Sequence, residues 1–434
     1  MIHNISIKRI ILCFVVFASL IPNIGIKLVT FGFTWTFYRF IIPLSLFICL
    51  SLRSTSKIKI RTQEHNNWIK MMVFWLLYGI LIMFISSYRD FHNGFIELLS
   101  LFNGIVYLYL VGRLINKPCE LKSAMSTIYV VYLFMIVLGV FEIKSGMHLP
   151  MSEFLDKKSP ANYLSLRGAT GTFYGMNDYS AFLTTALPIL FYNKKFRIIN
   201  LIAAIGVIYI DYQNDANICI IAILFGLVFY VFFLKQYRFK NVLTLRIMFF
   251  ILFCIVLFCV WLYNTFPLME VIKTQLNNFK KSEGSLWMRI TIYIDSLKAA
   301  YNTFFIGVGP AAFMNYFIQH PSASGLINPH NMYLEILVEY GLVLFLLFVF
   351  SLFHIINKLC KIILNYNNKI ERRVAVSICE MLIIYSIVCI TSSSFIGYAW
   401  QWVIIGLGTI CIKLTKTDKQ SKQIITENKL IMDY

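Results

Sequence analysis

MYLEILVEYGLVLFLLFVFSLFH, Met332 to His354, carries two carboxylates in its first third and almost nothing but apolar side chains after them. A segment crossing the hydrocarbon layer of a bilayer needs roughly 20 apolar residues. It is helical by default, because other backbone exposed to lipid leaves N–H and C=O groups unpaired. Runs of this kind recur from end to end, and we place spans at 10–28, 33–52, 70–87, 95–115, 124–143, 177–192, 198–212, 217–234, 246–263, 332–354, 374–393 and 396–413. The fold class is therefore an all-α polytopic integral membrane protein of about 12 transmembrane helices. One transmembrane domain fills 1–413, and 414–434 forms a loose, polar cytoplasmic tail.

Bulk composition points the same way. Apolar residues make up 59% of the 434 and charged residues 14%, with a mean hydropathy of +0.72. Soluble domains sit nearer ~45–50% and ~25%, so the surplus must face lipid. The net charge of +19 would suggest nucleic acid in a soluble protein. In a membrane protein the placement of the charge carries the information, and no nucleic-acid partner is expected. With the N-terminus inside, 27 of the 39 Lys and Arg residues fall in cytoplasmic segments, including Lys8, Arg9, Arg113, Lys117, Lys358 and Lys413. Both termini are then cytoplasmic. The run from Ile10 follows Lys8 and Arg9 as a secretory signal would, but no small-x-small cleavage site precedes the next span, so it reads as a retained helix. None of the ten cysteines forms a CxxC pair or has metal-ligand spacing.

Two external segments stand out by length, about 143–176 and, between spans 9 and 10, about 264–331. Loops this long are usually functional. The second contains SLWMRITIYIDSLKAAY, in which Leu286, Ile290, Ile294 and Leu297 recur at helical spacing with Arg289, Asp295 and Lys298 off the stripe. We expect a helix on the membrane surface or capping a cavity.

The same loop ends in GVGPAAFMNYF and NPHNMYLEILVEYG. Gly307 and Gly309 open backbone conformations closed to other residues. His330 sits at the outer mouth of a span, where a neutral imidazole accepts protons near neutral pH. The helix N-terminus disfavours its charged form and favours a nearby anion; the alternative is a histidine that merely caps the helix. Asn331 follows it. Glu335 and Glu339 lie one turn apart inside the span, where carboxylates are costly and face the protein interior. They orient His330, bind a polar substrate, or pair structurally. The first loop closes with LRGATGTFYGMNDYSAFL, which puts Arg167, Asn177 and Asp178 at another outer mouth. Arginine binds phosphate bidentately, or its side chain snorkels to the headgroups. Arg289 and Arg39, the latter early in the second span, carry the same two readings. Asp211 and Asp215 flank an outer loop as pairing candidates for Arg167 or Arg289, or as ordinary loop acids. There is no Walker motif, HExxH or Rossmann glycine pattern.

FEIKSGMHLP (Phe141–Pro150), LRGATGTFYGMNDYSAFLTTALP (Leu166–Pro188), MRITIYIDSLKAAYNTFFIGVGPAAF (Met288–Phe313) and NPHNMYLEILVEYG (Asn328–Gly341), in that order, resemble the O-antigen polymerase and ligase family (Wzy/WaaL type) of bacterial surface-polysaccharide synthesis. The resemblance implies a GT-C-like glycosyltransferase without metal or other cofactor. Such an enzyme moves a glycan from an undecaprenyl-pyrophosphate carrier to an acceptor hydroxyl on the outer face of the bacterial plasma membrane. It implies His330 as the base and Arg289 and Arg167 as pyrophosphate ligands, to which the reading of the residues themselves adds Arg39 as a third candidate and Asn177, Asn331, Glu335, Glu339, Gly307 and Gly309 as supporting groups. Its implied partners are the lipid-linked glycan and membrane lipids, with a flippase and a chain-length regulator as neighbours. The departure is at YQNDANICIIAIL (Tyr212–Leu224), where many relatives carry a Ser-Arg pair and Asp215 to Asn217 stand here. That leans towards polymerase over ligase. A transporter or flippase would instead show two homologous halves and polar sites at mid-membrane.

The orientation is open to a direct check. Alkaline phosphatase fused after Ala323 should be active, and the same fusion after Lys416 should be inactive; the reverse pattern inverts the topology.

Overall fold

The structure, a computed structural model, describes residues 7–24, 28–30, 33–36, 38–41, 43–45, 47, 63–155, 168–231, 284–365, 369–390 and 395–432. The expected span 246–263 and Arg167 lie outside these residues, as does most of 33–52. The principal helices are α1 (Ile7–Leu20), α2 (Gln63–Ile85), α3 (Phe91–Leu114), α4 (Pro118–Ser145), α5 (Met176–Ala186), α6 (Ile189–Tyr192), α7 (Arg197–Gln213), α8 (Asn217–Phe229), α9 (Gly284–Asn302), α10 (Phe313–Gln319), α11 (Met332–Asn365), α12 (Lys369–Val388) and α13 (Ala399–Met432). Among the described residues, α2, α3, α4 and Met332–Leu364 of α11 are long and apolar enough to cross a bilayer. The chain is a multi-pass helical membrane protein.

Four expectations need correction. The first helix ends at Leu20, not 28, because Pro22 disfavours helix in the residue before it. Residues Leu28–Thr30 (β1) and Phe33–Trp35 (β2) form a small antiparallel ribbon where the second span was expected to begin. The run 177–192 is two helices, since Pro188 has no N–H to continue the ladder. Finally, α13 does not fray at Lys413; its Lys- and Gln-rich continuation is helical to Met432.

Close approaches at glycine and interlocking aromatics hold the bundle together. A Cβ at Gly104 would lie 2.6 Å from the Trp402 ring, and one at Gly112 would lie 2.1 Å from His65 Nε2. Helices in lipid associate through such small-residue contacts, since water no longer drives their apolar faces together. Trp75 of α2 meets Tyr340 of α11 at 5.3 Å and Trp402 of α13 at 6.4 Å, both edge-on. Outward-facing Val137, Leu77 and Phe353 remain exposed, as lipid-facing positions would.

The two ends of the bundle differ chemically. At one end Lys8 pairs with Glu120 and Lys358 with Glu64, each at 2.8 Å, and Lys413 donates to Asn116. The other end gathers the 86–90 turn, the segments 146–155 and 168–175, and the start of α11.

The long helix α11 is not continuous. Gly341 has φ 81° and ψ 175°, which separates a nine-residue first piece from the rest. Phe305 to Gly309 run through the gap. The Val308 and Gly309 amides donate to the Val338 and Glu339 carbonyls at 2.8 and 2.9 Å, and the Leu342 amide donates to Phe305 O at 2.9 Å. Tyr78, within α2, donates to Ile306 O. The stretch expected as a purely external loop therefore descends about 13 Å below the start of α11, at 1.5 Å per residue. Gly307 and Gly309, both at φ +107°, make this possible; a Cβ on Gly307 would lie 2.5 Å from Glu339 O.

Gly341→Ala places a Cβ 2.3 Å from Phe305 O at a positive φ. We expect it to cost on the order of 1–3 kcal/mol from backbone strain alone, with clash adding to it. Gly397→Ala, with nothing within 4 Å, should be near neutral. Thermal denaturation of the two variants in detergent checks the contrast.

Candidate functional site

His330 follows Pro329 with φ +45°, and its amide donates to Asn328 Oδ1 at 2.9 Å. This tight turn sets the imidazole at the mouth of α11. Asn331 caps the helix: its side-chain oxygen accepts from the amides of Tyr333 and Leu334 at 3.0 and 3.2 Å. Three contacts join α9, α11 and α12 here. The Met332 amide donates to Cys389 O at 2.9 Å, the Tyr333 hydroxyl to Ser386 O at 2.8 Å, and the Tyr293 hydroxyl to Ile390 O at 3.0 Å.

Burial lowers the His330 pKa, and the positive charge of Arg289 lowers it further. The ring is thus held neutral, as a proton acceptor must be, with a permanent cation beside it. On α9, Ile294 and Leu297 of the amphipathic stripe are exposed, while Ile292, Ser296, Ala299 and Ala300 pack inward. That rotation is set by contact with α11, and half-buried Arg289 lies towards His330.

A second group sits at the same end. The Arg39 guanidinium lies 5.3 Å from the Tyr38 ring centroid, and its charge acts on Tyr398. The Tyr398 hydroxyl donates to Asp178 Oδ2 at 2.8 Å in the first turn of α5, where half-buried Asn177 also lies. The loop leading into α5 is held by Glu142, whose Oε2 accepts from the Thr170 and Gly171 amides at 2.8 Å each. Gly171 has φ +52°, and a Cβ there would lie 2.6 Å from Tyr179.

The remaining candidates scatter. Asp211 is fully buried and accepts from Thr184 at 2.7 Å, so it is not the expected loop acid facing Arg289. Asp215 is exposed in the turn after α7 with φ +51°. Glu335 and Glu339 are buried below His330. Sequence reasoning passed over Glu97, Glu142 and Tyr398. Glu97 and Glu142 each interrupt an apolar run, the signal that flagged Glu335 and Glu339. Tyr398 had none. Among the described residues, no three His, Cys, Asp or Glu side chains group as metal ligands would.

The model of the family described as O-antigen ligase matches residues 201–349. The chain carries the O-antigen ligase domain of the family it resembles. It is also similar to the teichuronic acid biosynthesis protein TuaE of Bacillus subtilis (strain 168), 20% identical over 361 residues, covering 80% of this chain and 72% of that one. Both likenesses are to proteins of surface-polysaccharide synthesis. The matched O-antigen ligase domain takes in Arg289, Gly307, Gly309, His330, Glu335 and Glu339. Arg39, Arg167 and Asn177 lie before it.

Replacing Arg289 with Gln removes the charge that disfavours protonation of His330. The His330 pKa should therefore rise towards the ordinary histidine value. Histidine-labelled NMR titration, assigned with His330→Gln, reads the shift, and a fall or no change refutes the pairing.

Proposed function

We propose that the protein is a polymerase joining undecaprenyl-pyrophosphate-linked oligosaccharide repeat units into a surface polysaccharide at the outer face of the plasma membrane. The observation that carries this reading is His330, held neutral at the mouth of α11 with Arg289 beside it. The end opposite His330 bears Lys8, Lys358 and Lys413, which suits a cytoplasmic surface and so an external His330.

The chemistry is an inverting displacement without a metal. His330 takes the proton of the acceptor hydroxyl as its oxygen bonds to the anomeric carbon, and the bond from that carbon to the pyrophosphate oxygen breaks on the opposite side. Negative charge then grows on the leaving pyrophosphate. Arg289, with Arg39 and Arg167 as further ligands, offsets it. Glu335 and Asn331 support the mouth of α11, and Asn177 supports the entry of α5. The product is a wall or capsular polymer, in keeping with the likeness to a protein named for teichuronic acid biosynthesis.

A second reading is transfer of the finished glycan to a terminal acceptor, favoured by the description of the matched family as O-antigen ligase. The two part company in a deletion strain. Short surface repeats mean a lost polymerase, and long chains stranded on the carrier mean a lost ligase.

The decisive variant is His330→Ala in that deletion strain, with membrane levels checked by blot. Loss of a general base typically slows a reaction ~10²–10⁴-fold, so long chains should vanish at normal protein level. Unchanged chain lengths would remove His330 from the mechanism and turn attention to a transporter.

A further inference from the structure

The mechanism leaves over a buried polar group at membrane depth. Glu97 of α3 and Glu339 of α11 lie within hydrogen-bonding contact of each other, and the Tyr340 hydroxyl donates to Glu97 Oε1. Both carboxyl groups reach the same turn. Glu339 Oε1 accepts from the Phe313 amide at 3.2 Å, and Glu97 accepts from the amide of Ala311. That turn is the return limb of the segment in the α11 break, and Ala311 itself has φ +52°.

The turn is coupled rigidly to the helix that carries Arg289. The amides of Thr303 and Phe305 donate to Ala299 O and Ala300 O at 3.1 and 2.8 Å, so α9 runs into the break without slack. Ile292, Ala299, Ala300, Val308, Phe313 and Val338 form a hydrophobic cluster of their own, apart from the main core. Glu97 belongs to α3, which contributes Leu101, Ile105, Tyr107 and Val111 to the main core. The two carboxylates therefore tie the small unit bearing Arg289 to the bundle that bears the rest of the site.

We infer that Glu97 and Glu339, with Tyr340, are positioning residues: they seat the 309–313 turn in the break of α11 and so set how closely Arg289 approaches His330. This rests on the reading of His330 and Arg289 as one site. Neither carboxylate needs to touch the substrate. Without them the 309–313 turn shifts against α3 and α11, α9 follows, and Arg289 moves away from the imidazole.

The His330 pKa reports that approach directly, whether or not His330 is the base. It is to be measured by histidine-labelled NMR titration of the full chain in lipid nanodiscs. Glu339→Ala should raise it in the same direction as Arg289→Gln and by at least half as much. Glu339→Gln, whose amide oxygen still accepts from the Phe313 amide, should restore the wild-type value. A wild-type value in Glu339→Ala, or the Ala value in Glu339→Gln, overturns the inference. Should Glu339→Ala fail to insert, Tyr340→Phe removes only the hydroxyl bond to Glu97 and should give a smaller upward shift; an unmoved pKa there overturns it equally. Chain-length analysis of His330→Ala stays separate: unchanged chains refute the base, while the titration still decides the positioning role.

Discussion

Three main-chain hydrogen bonds at the break in α11 are the constraint on which the site depends. In lipid a broken helix is costly, since every freed amide and carbonyl needs a partner. Here Phe305 to Gly309 supply them, giving amides to the Val338 and Glu339 carbonyls and taking the Leu342 amide. The exchange satisfies three of those groups and brings the C-terminal end of α9 against α11. Arg289 and His330 lie 41 positions apart in sequence, yet the docked segment between them makes them neighbours.

Packing elsewhere holds this arrangement rigid. Edge-on contacts of Trp75 with Tyr340 and Trp402 lock α2, α11 and α13 at the level of the break. Glycines at 104 and 112 let the Trp402 ring of α13 and the His65 ring of α2 press against the α3 backbone. The interhelical Lys8–Glu120 and Lys358–Glu64 pairs lie at the end far from His330.

Much of the fold was legible in the sequence, because the cost of burying charge in lipid dominates the pattern. Apolar runs gave the helices, and the lysine and arginine clusters gave the grouping of helix ends. The site was legible in part. His330 beside an N-cap and Arg289 on an amphipathic helix could be read from spacing. The break at Gly341 could not, since a glycine inside an apolar run is common in membrane helices and only the docking of a distant GVG segment reveals its purpose. Pairing of Tyr398 with Asp178 was equally hidden, as both residues are unremarkable in sequence and meet only when α5 and α13 converge. The face that α9 turns inward was hidden for a related reason. In lipid the apolar side faces outward, and the small residues Ser296, Ala299 and Ala300 make the contact.

The gap in α11 is closed by main-chain atoms alone. The three bonds across it ask nothing of side chains beyond the glycines' freedom to turn, and the carboxyl groups of Glu97 and Glu339 seat the limb that follows. Val308 and Val338 enter the joint through their backbone while their side chains pack in the small cluster, so one pair of residues serves both the bonds and the packing. Height within the bundle is thus fixed for the 305–309 segment by backbone register, much as one strand fixes its neighbour in a sheet.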